Sequence, residues 1–242
     1  MAKRPFVRKQ KKKRHGTNFW DHEYQNPSHL QLSEKPGEDF LKFLRFLERH
    51  YPELLQSKNI ALDLGCGNGR QLAHLQRQYD LSVVGYDTSG RAIDIAKNLC
   101  PMPEKYTLQV RSIAEPLLLK ENSCSLVLDM MTSHFLPNLA RTRLQQEILR
   151  VLEPGGFLFM KTFLKDEDLH SKRLLEEYPA SEENTYIHPS LGVPEYVYSE
   201  EALLAYLGDG FSIDRIYRSH KHRFRGQAKK RRTVTVYARK NI

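Results

Sequence analysis

Residues 60–70 read Ile-Ala-Leu-Asp-Leu-Gly-Cys-Gly-Asn-Gly-Arg, and this stretch carries the strongest structural signal in the chain. An apolar run typical of a buried strand leads into three alternate glycines, Gly65, Gly67 and Gly69, and a helical pattern begins at Arg70. Glycine has no Cβ to hold the backbone away from a ligand, and the N-terminus of the following helix offers free N–H groups. The stretch therefore predicts a strand, a tight turn and a helix that together bind a nucleotide-like ligand.

Two other ligand-binding loops do not fit this stretch. The dinucleotide fingerprint requires a glycine at the position that Arg70 occupies, and a Walker loop requires Lys followed by Ser or Thr. Both are therefore excluded.

Short apolar runs and helical patterns alternate along the rest of the chain. The predicted strands cover residues 59–64, 82–86, 107–110, 125–128, 157–163, 211–217 and 233–238, and the predicted helices cover 37–51, 70–79, 91–99, 138–152 and 200–207. This order predicts an α/β fold with a doubly wound, seven-stranded, mostly parallel sheet and helices on both faces. No helical pattern separates the last two strands, so they should pair antiparallel.

The glycine-rich stretch resembles the first motif of class I S-adenosylmethionine (SAM)-dependent methyltransferases, in which an acidic residue stands two positions before the first glycine. Asp63 fills that place. The resemblance covers about residues 59–163 and 195–240, and it implies a Rossmann-like sheet, SAM as cofactor and methyl transfer as activity. It also implies that the cofactor contacts the glycine-rich turn, where the candidate binding residues are Asp63, Gly65, Cys66, Gly67 and Gly69.

A second candidate contact lies where the next predicted strand ends, at Asp87 and its neighbour Thr88. A carboxylate at the tip of this strand can accept hydrogen bonds from both hydroxyls of a ribose. The alternative is that Asp87 caps the helix beginning near Arg91.

The resemblance implies further contacts after the third and fourth predicted strands. Family members usually hold adenine with an acidic residue and its neighbour, and Ser112 and Ile113 occupy those places here. A backbone N–H would then replace the carboxylate. Asp129 ends the fourth strand and would lie beside the methionine part of SAM. Residues 152–157 resemble the family's turn into its fifth strand, and Ser199 is the expected N-cap of a late helix.

Methyl transfer from a sulfonium depends mainly on holding the acceptor in line and on excluding water. A general base is needed only when the acceptor must lose a proton. His134 follows the fourth strand, and it is the candidate for that base, with packing as the alternative role.

The net charge of +9 is unevenly distributed. Residues 1–15 contain eight Lys or Arg, residues 215–242 contain eleven, and neither segment has an acid. All 29 acidic residues lie between positions 16 and 214, a stretch that holds 19 of the 38 basic residues. We therefore expect a disordered basic arm over residues 1–18, a methyltransferase domain over 19–242, and a basic hairpin loop at about 218–232.

These charges leave the acceptor open between two hypotheses. The basic segments 1–15 and 218–232 favour RNA or another polyanion, with solvated charge as the alternative. The acid-rich insertion at about residues 165–198 favours a small molecule, cationic or neutral, or a basic protein tail. A third hypothesis is a non-catalytic protein that uses SAM, or its fold, structurally.

Other function classes are excluded by composition. No apolar run approaches the roughly 18 residues of a membrane span, and the basic N-terminus lacks the apolar core of a secretory signal, so we expect a cytoplasmic protein without a membrane partner. The three cysteines match no zinc spacing, and no metal site is predicted. The sequence does not indicate an oligomeric state.

Overall fold

The computed structural model describes residues 17–28, 30, 32–220, 223–224, 227–228 and 230–242. Most of the predicted basic arm lies outside these residues, and so does part of the predicted loop 218–232. A helix begins at Thr17, within the last two residues of the predicted arm 1–18. The division into arm and domain stays a prediction.

A seven-stranded sheet forms the centre of the protein. Within the described residues the strands are β1 (Ile60–Leu64), β2 (Ser82–Asp87), β3 (Tyr106–Val110), β4 (Cys124–Met130), β5 (Leu152–Phe163), β6 (Thr185–Ile187), β7 (Pro194–Tyr196), β8 (Phe211–Arg218), β9 (Arg223–Phe224), β10 (Gln227–Ala228) and β11 (Thr233–Lys240). The sheet has the order β3-β2-β1-β4-β5-β11-β8. Strands β1 to β5 are parallel, whereas β11 is antiparallel to both β5 and β8. The predicted fold class is confirmed, including the antiparallel last strand.

Helices cover both faces of this sheet. In the described residues they are α1 (Thr17–Gln25), α2 (Glu38–His50), α3 (Arg70–Tyr79), α4 (Gly90–Leu99), α5 (Asn138–Val151), α6 (Leu169–Glu177) and α7 (Glu200–Leu207). One apolar core joins α2, α3 and α4 to the sheet, and a second joins α5 and α7 to the opposite face. Within the part of the chain that the structure describes, no helix is long and apolar enough to cross a membrane.

Several predicted boundaries are confirmed, and β5 shows why others moved. Helices α3 and α7 have the predicted bounds, and Ser199 caps α7 by accepting from the Ala202 N–H at 3.1 Å. Strand β5 starts at Leu152 rather than Phe157. The predicted turn at residues 152–157 is taken up as a bulge, because Cys124 pairs with Leu152 while Leu126 pairs with Phe157.

Sequence patterns missed α1 and the structure inside the insertion. The insertion contains α6 and a hairpin of β6 and β7, and its two ends meet where Leu164 pairs with Tyr198. The Lys165 N–H donates to the Tyr198 carbonyl at 2.7 Å. The insertion is therefore a folded unit attached at the carboxyl end of β5, at the edge where parallel α/β sheets bind ligands.

Candidate functional site

A cavity of about 870 Å³ opens at the carboxyl ends of the parallel strands. Its walls come from the turn after β1, the end of β2, the loops after β3 and β4, helix α1 and the insertion. This is the position predicted for the ligand site. Of the predicted cofactor residues, those on the wall are Asp63, Gly65, Cys66, Gly67, Asp87, Thr88, Ser112 and Ile113.

The glycine-rich turn leaves no room for side chains. Gly65 and Gly67 have φ angles of 72° and 56°, in the left-handed region that favours glycine. A Cβ on Gly65 would lie 2.3 Å from Thr132 Cγ2, and one on Gly67 would lie 2.4 Å from the Tyr24 hydroxyl. Gly69 faces helix α4 instead, where a Cβ would lie 2.7 Å from Ala96 Cβ. The first two glycines therefore shape the cavity, and the third allows α3 to pack on α4.

Asp87 is held rigidly at the tip of β2. One carboxylate oxygen accepts from the Gly67 N–H and the other from the Ser89 N–H, both at 2.9 Å. Helix α4 is capped by Ser89, whose hydroxyl accepts from the Ala92 N–H at 3.1 Å. The alternative role of Asp87 as the cap of this helix is therefore wrong. Burial raises the pKa of the Asp87 carboxyl, and the negative charge of the nearby Asp21 raises it further. The hydrogen bonds that Asp87 accepts lower this pKa but do not cancel the rise.

Asp63 differs from Asp87 because its carboxyl accepts no hydrogen bond from the described residues, although the charge of Arg70 acts on it. Its side chain is buried on the cavity wall, and no described residue donates a hydrogen bond to it. Burial raises the pKa of the Asp63 carboxyl to about 8, and the carboxylates of Asp87 and Asp129 contribute. A cationic ligand group would stabilise the ionised form.

Asp129 does not reach the cavity wall. It is buried at the end of β4, where one oxygen accepts from the Ser133 N–H at 3.1 Å and the other has no partner among the described residues. Asp129 thereby holds the backbone of the turn that presents Thr132 to Gly65 and His134 to the cavity.

Helix α1 covers one side of the cavity. Asp21 accepts from the Ser89 hydroxyl at 2.7 Å and from the Arg91 N–H at 3.2 Å, which ties α1 to the start of α4. The ring of Trp20 packs edge-on against Phe135 at 5.1 Å, and Trp20 and Tyr24 both line the cavity. Trp20 and Tyr24 therefore belong to the site.

The opposite side is the insertion-side wall, formed by His134, Phe163, His188, Leu191, Glu195 and Arg231. His134 is 1% exposed, and neither ring nitrogen has a partner among the described residues. Burial lowers the pKa of the His134 imidazole to about 4, so the ring is neutral at physiological pH. Its ring lies edge-on to Phe163, with the centroids 5.2 Å apart.

Sequence analysis missed a triad in this wall that joins the buried Tyr186 and Glu195 to the partly exposed Arg231. Glu195 of β7 contacts the Tyr186 hydroxyl and the Arg231 guanidinium, and that guanidinium also lies over the Phe163 ring, 3.4 Å from its centroid. No local motif joins these residues, because they come from the insertion, from β5 and from the return of the basic loop. The one sequence signal that included Arg231 was the predicted basic hairpin loop at about residues 218–232.

The sheet order and the position of the cavity define the methyltransferase type of Rossmann-like fold. Residues 61–156 match the family model described as "Methyltransferase domain". This match and the likeness to solved SAM-dependent methyltransferases support the class I SAM-dependent methyltransferase superfamily, with SAM as the cofactor.

Three similar proteins illustrate the range of the superfamily. The chain is 30% identical over 130 residues to phthiotriol/phenolphthiotriol dimycocerosates methyltransferase 1 of Mycobacterium ulcerans, which covers 53% of this chain and 45% of that protein. It is 28% identical over 120 residues to mouse tRNA (carboxymethyluridine(34)-5-O)-methyltransferase ALKBH8, which covers 49% of this chain and 17% of that protein. The chain thus spans less than half the length of these curated relatives. A SAM-dependent methyltransferase structure from Methanosarcina mazei superposes with a TM-score of 0.63 at 25% identity, covering 79% of this chain and 96% of that one.

Proposed function

We propose that this protein binds SAM in the described cavity and transfers its methyl group to an acceptor at the insertion-side wall. The observation that carries the proposal is Asp63, a buried carboxyl on the cavity wall that accepts no hydrogen bond from the described residues and lies beside Gly65 and Gly67. Ionising a buried carboxyl without a partner costs free energy, so a cationic ligand group would stabilise its charged form. The α-amino group of SAM is a cation, and it would be the partner that Asp63 lacks.

The other predicted cofactor residues have matching chemistry. Asp87 would accept from the ribose hydroxyls, with Thr88 beside it, and Ser112 and Ile113 would hold adenine through backbone N–H groups. Cys66 is part of the same turn and contributes backbone. Gly69 and Asp129 would support the cofactor site without touching the cofactor. Gly69 lets α3 pack on α4, and Asp129 holds the turn after β4.

SAM supplies a methyl group on a positively charged sulfur. The contribution of the chain is to hold the acceptor in line with that methyl and to exclude water. Water would be excluded by side chains that line the cavity from two sides, Trp20 and Tyr24 from α1 and Leu191 from the insertion. His134, neutral and without a partner, remains the candidate general base for an acceptor that must lose a proton.

Calorimetry on matched variants tests this proposal. Asp87→Ala should weaken SAM binding by about 1–3 kcal/mol, because two ribose hydroxyls lose their acceptor. Asp94→Ala is the control, since it removes the same residue type from the exposed face of α4. Methyl transfer is tested by supplying tritium-labelled SAM to RNA, protein and metabolite fractions of a cell extract. SAM binding without transfer to any fraction would favour the non-catalytic hypothesis, and the absence of SAM binding would refute the proposal.

For the acceptor, RNA is one candidate. Its support is the concentration of basic residues in segments 1–15 and 218–232, and the naming of one relative, ALKBH8, as a tRNA methyltransferase. RNA binding through phosphates should weaken steeply with salt. Both the RNA partner and the cytoplasmic location stay predictions from the sequence.

A small-molecule acceptor is the alternative, and the insertion that covers the cavity supports it. Among the described residues, however, Glu195 is the one acid of the insertion on the cavity wall, and several of the others bond within the fold. Asp166 accepts from the Glu200 N–H at 2.7 Å, Asp168 accepts from the Arg232 N–H at 3.0 Å, and Glu182 pairs with Arg141. The preference for a cationic acceptor therefore loses its main argument.

A further inference from the structure

We propose that Arg231 and His134 form a binding site for an anionic group of the methyl acceptor, a carboxylate or a phosphate. This inference rests on the proposed function, because it assigns the acceptor to the insertion-side wall.

The first observation is the fixed position of Arg231. Its guanidinium stacks on Phe163, and its Nη1 contacts both the Tyr186 hydroxyl and the Glu195 carboxylate. Tyr186 and Glu195 are almost fully buried, so they hold the guanidinium from behind. An arginine held in this way loses little conformational freedom when it binds a ligand, which favours recognition.

The second observation concerns the donors that remain. A guanidinium has five N–H donors in a planar fork, and the edge formed by Nε and Nη2 matches the two oxygens of a carboxylate or phosphate. Among the described residues, no acceptor engages Nε or Nη2 of Arg231. The side chain is 17% exposed and lines the cavity, so a ligand reaches it from there.

The third observation is independent of the arginine. His134 is buried on the same wall, packs on the same phenylalanine, and has two ring nitrogens without a partner in the described part of the chain. A neutral imidazole carries one N–H, and leaving it buried without an acceptor costs free energy. An anion on Arg231 would accept from it.

The other cations of the cavity wall are less suited to this role. Lys161 donates to Asp39 at 2.7 Å, and Arg111 lies beside Ser112, where it pairs with Glu115 at 3.1 Å. Arg70 lies at the start of α3 on the cofactor side of the cavity, where its charge acts on Asp63. On the insertion-side wall, Arg231 is the cation whose second edge remains available among the described residues.

The test measures binding of benzoate, inorganic phosphate and a single-stranded RNA dodecamer to the full chain saturated with S-adenosylhomocysteine. Arg231→Gln should weaken binding of the anion about 10- to 100-fold, because two charge-assisted hydrogen bonds are lost. Lys230→Gln is the control, since it removes the same charge from the neighbouring exposed residue. Binding of benzoate or phosphate that depends on Arg231 assigns the anion to a small acceptor, and binding of the RNA alone with that dependence assigns it to a nucleic-acid acceptor.

A second variant keeps the test valid if Arg231→Gln fails to fold. Glu195→Gln removes the charge that neutralises Arg231 and leaves the fork in place, so anion binding should strengthen severalfold. A triad that only ties the insertion to the sheet would give unchanged or weaker binding in this variant. Equal affinities of the wild type, Arg231→Gln and Glu195→Gln, or no binding of any probe, would overturn the inference. Cofactor affinity of the wild type, measured in the same series, shows separately whether the proposed function holds.

Discussion

Binding of SAM should release a proton from Asp63. At a pKa of about 8, roughly nine-tenths of the Asp63 side chains are protonated at pH 7 in the free protein. A cationic amino group within hydrogen-bonding range lowers the pKa of a carboxyl by about 1–3 units. The pKa in the complex then falls to about 5–7, and binding at pH 7 should release about 0.4–0.9 proton per ligand.

Isothermal titration calorimetry measures this number directly. Binding enthalpies are recorded at pH 7 in two buffers with different ionisation enthalpies, and the slope of one against the other gives the protons released. Asp63→Asn is the matched variant, because an amide has the shape of the neutral carboxyl and cannot ionise. Its slope should be near zero, and its SAM affinity should be lower. The reasoning is refuted if SAM binds the wild type without proton release, or if Asp63→Asn retains the wild-type slope.

Three further predictions follow from the same site. The pKa of Asp63 is higher in the folded than in the unfolded protein, so its contribution to stability is fully present below pH 4 and is lost as pH rises towards 8. Between pH 5 and 8, the melting temperature of the ligand-free wild type should therefore fall relative to that of Asp63→Asn. Parallel curves of melting temperature against pH would contradict this. Gly67→Ala should abolish SAM binding, and its positive φ should also cost about 1–2 kcal/mol of stability in a denaturant titration. Gly155, with a φ of 81° and open space around it, is the control: Gly155→Ala should lose stability but keep SAM binding. Asp21→Ala should speed SAM dissociation in stopped-flow measurements, because α1 loses its bonds to the start of α4, and an unchanged rate would exclude α1 as a cover.

The central sheet was predictable because local signals agreed with the final structure. Successive residues of β1 and β2 are apolar, and helices cover both faces of these strands. The sequence of each strand alone therefore predicts burial on both faces. Helix α7 lies between a serine cap and Gly208, and both signals are local. Asp87 also followed from its place at the end of a strand.

The rest depended on contacts between distant segments. Helix α1 has no continuous apolar stripe, and its position is set by bonds from Asp21 to Ser89 and to the backbone of Arg91. Arg231 and Glu195 are far apart in the chain and meet only after the insertion folds against the sheet. Asp129 lies one residue before the end of β4, and its side chain turns into the protein to accept from a backbone N–H. No sequence pattern encodes such choices.

The place of β11 in the sheet has a consequence for assembly. Strand β11 lies between β5 and β8, so these two earlier strands share no hydrogen bonds with each other. Until residues 233–240 insert, both have an unpaired edge, which is an opening for association with other chains. Arg231 lies two residues before this strand. Pairing of these two strand edges and completion of the insertion-side wall by Arg231 should therefore occur in the same folding event.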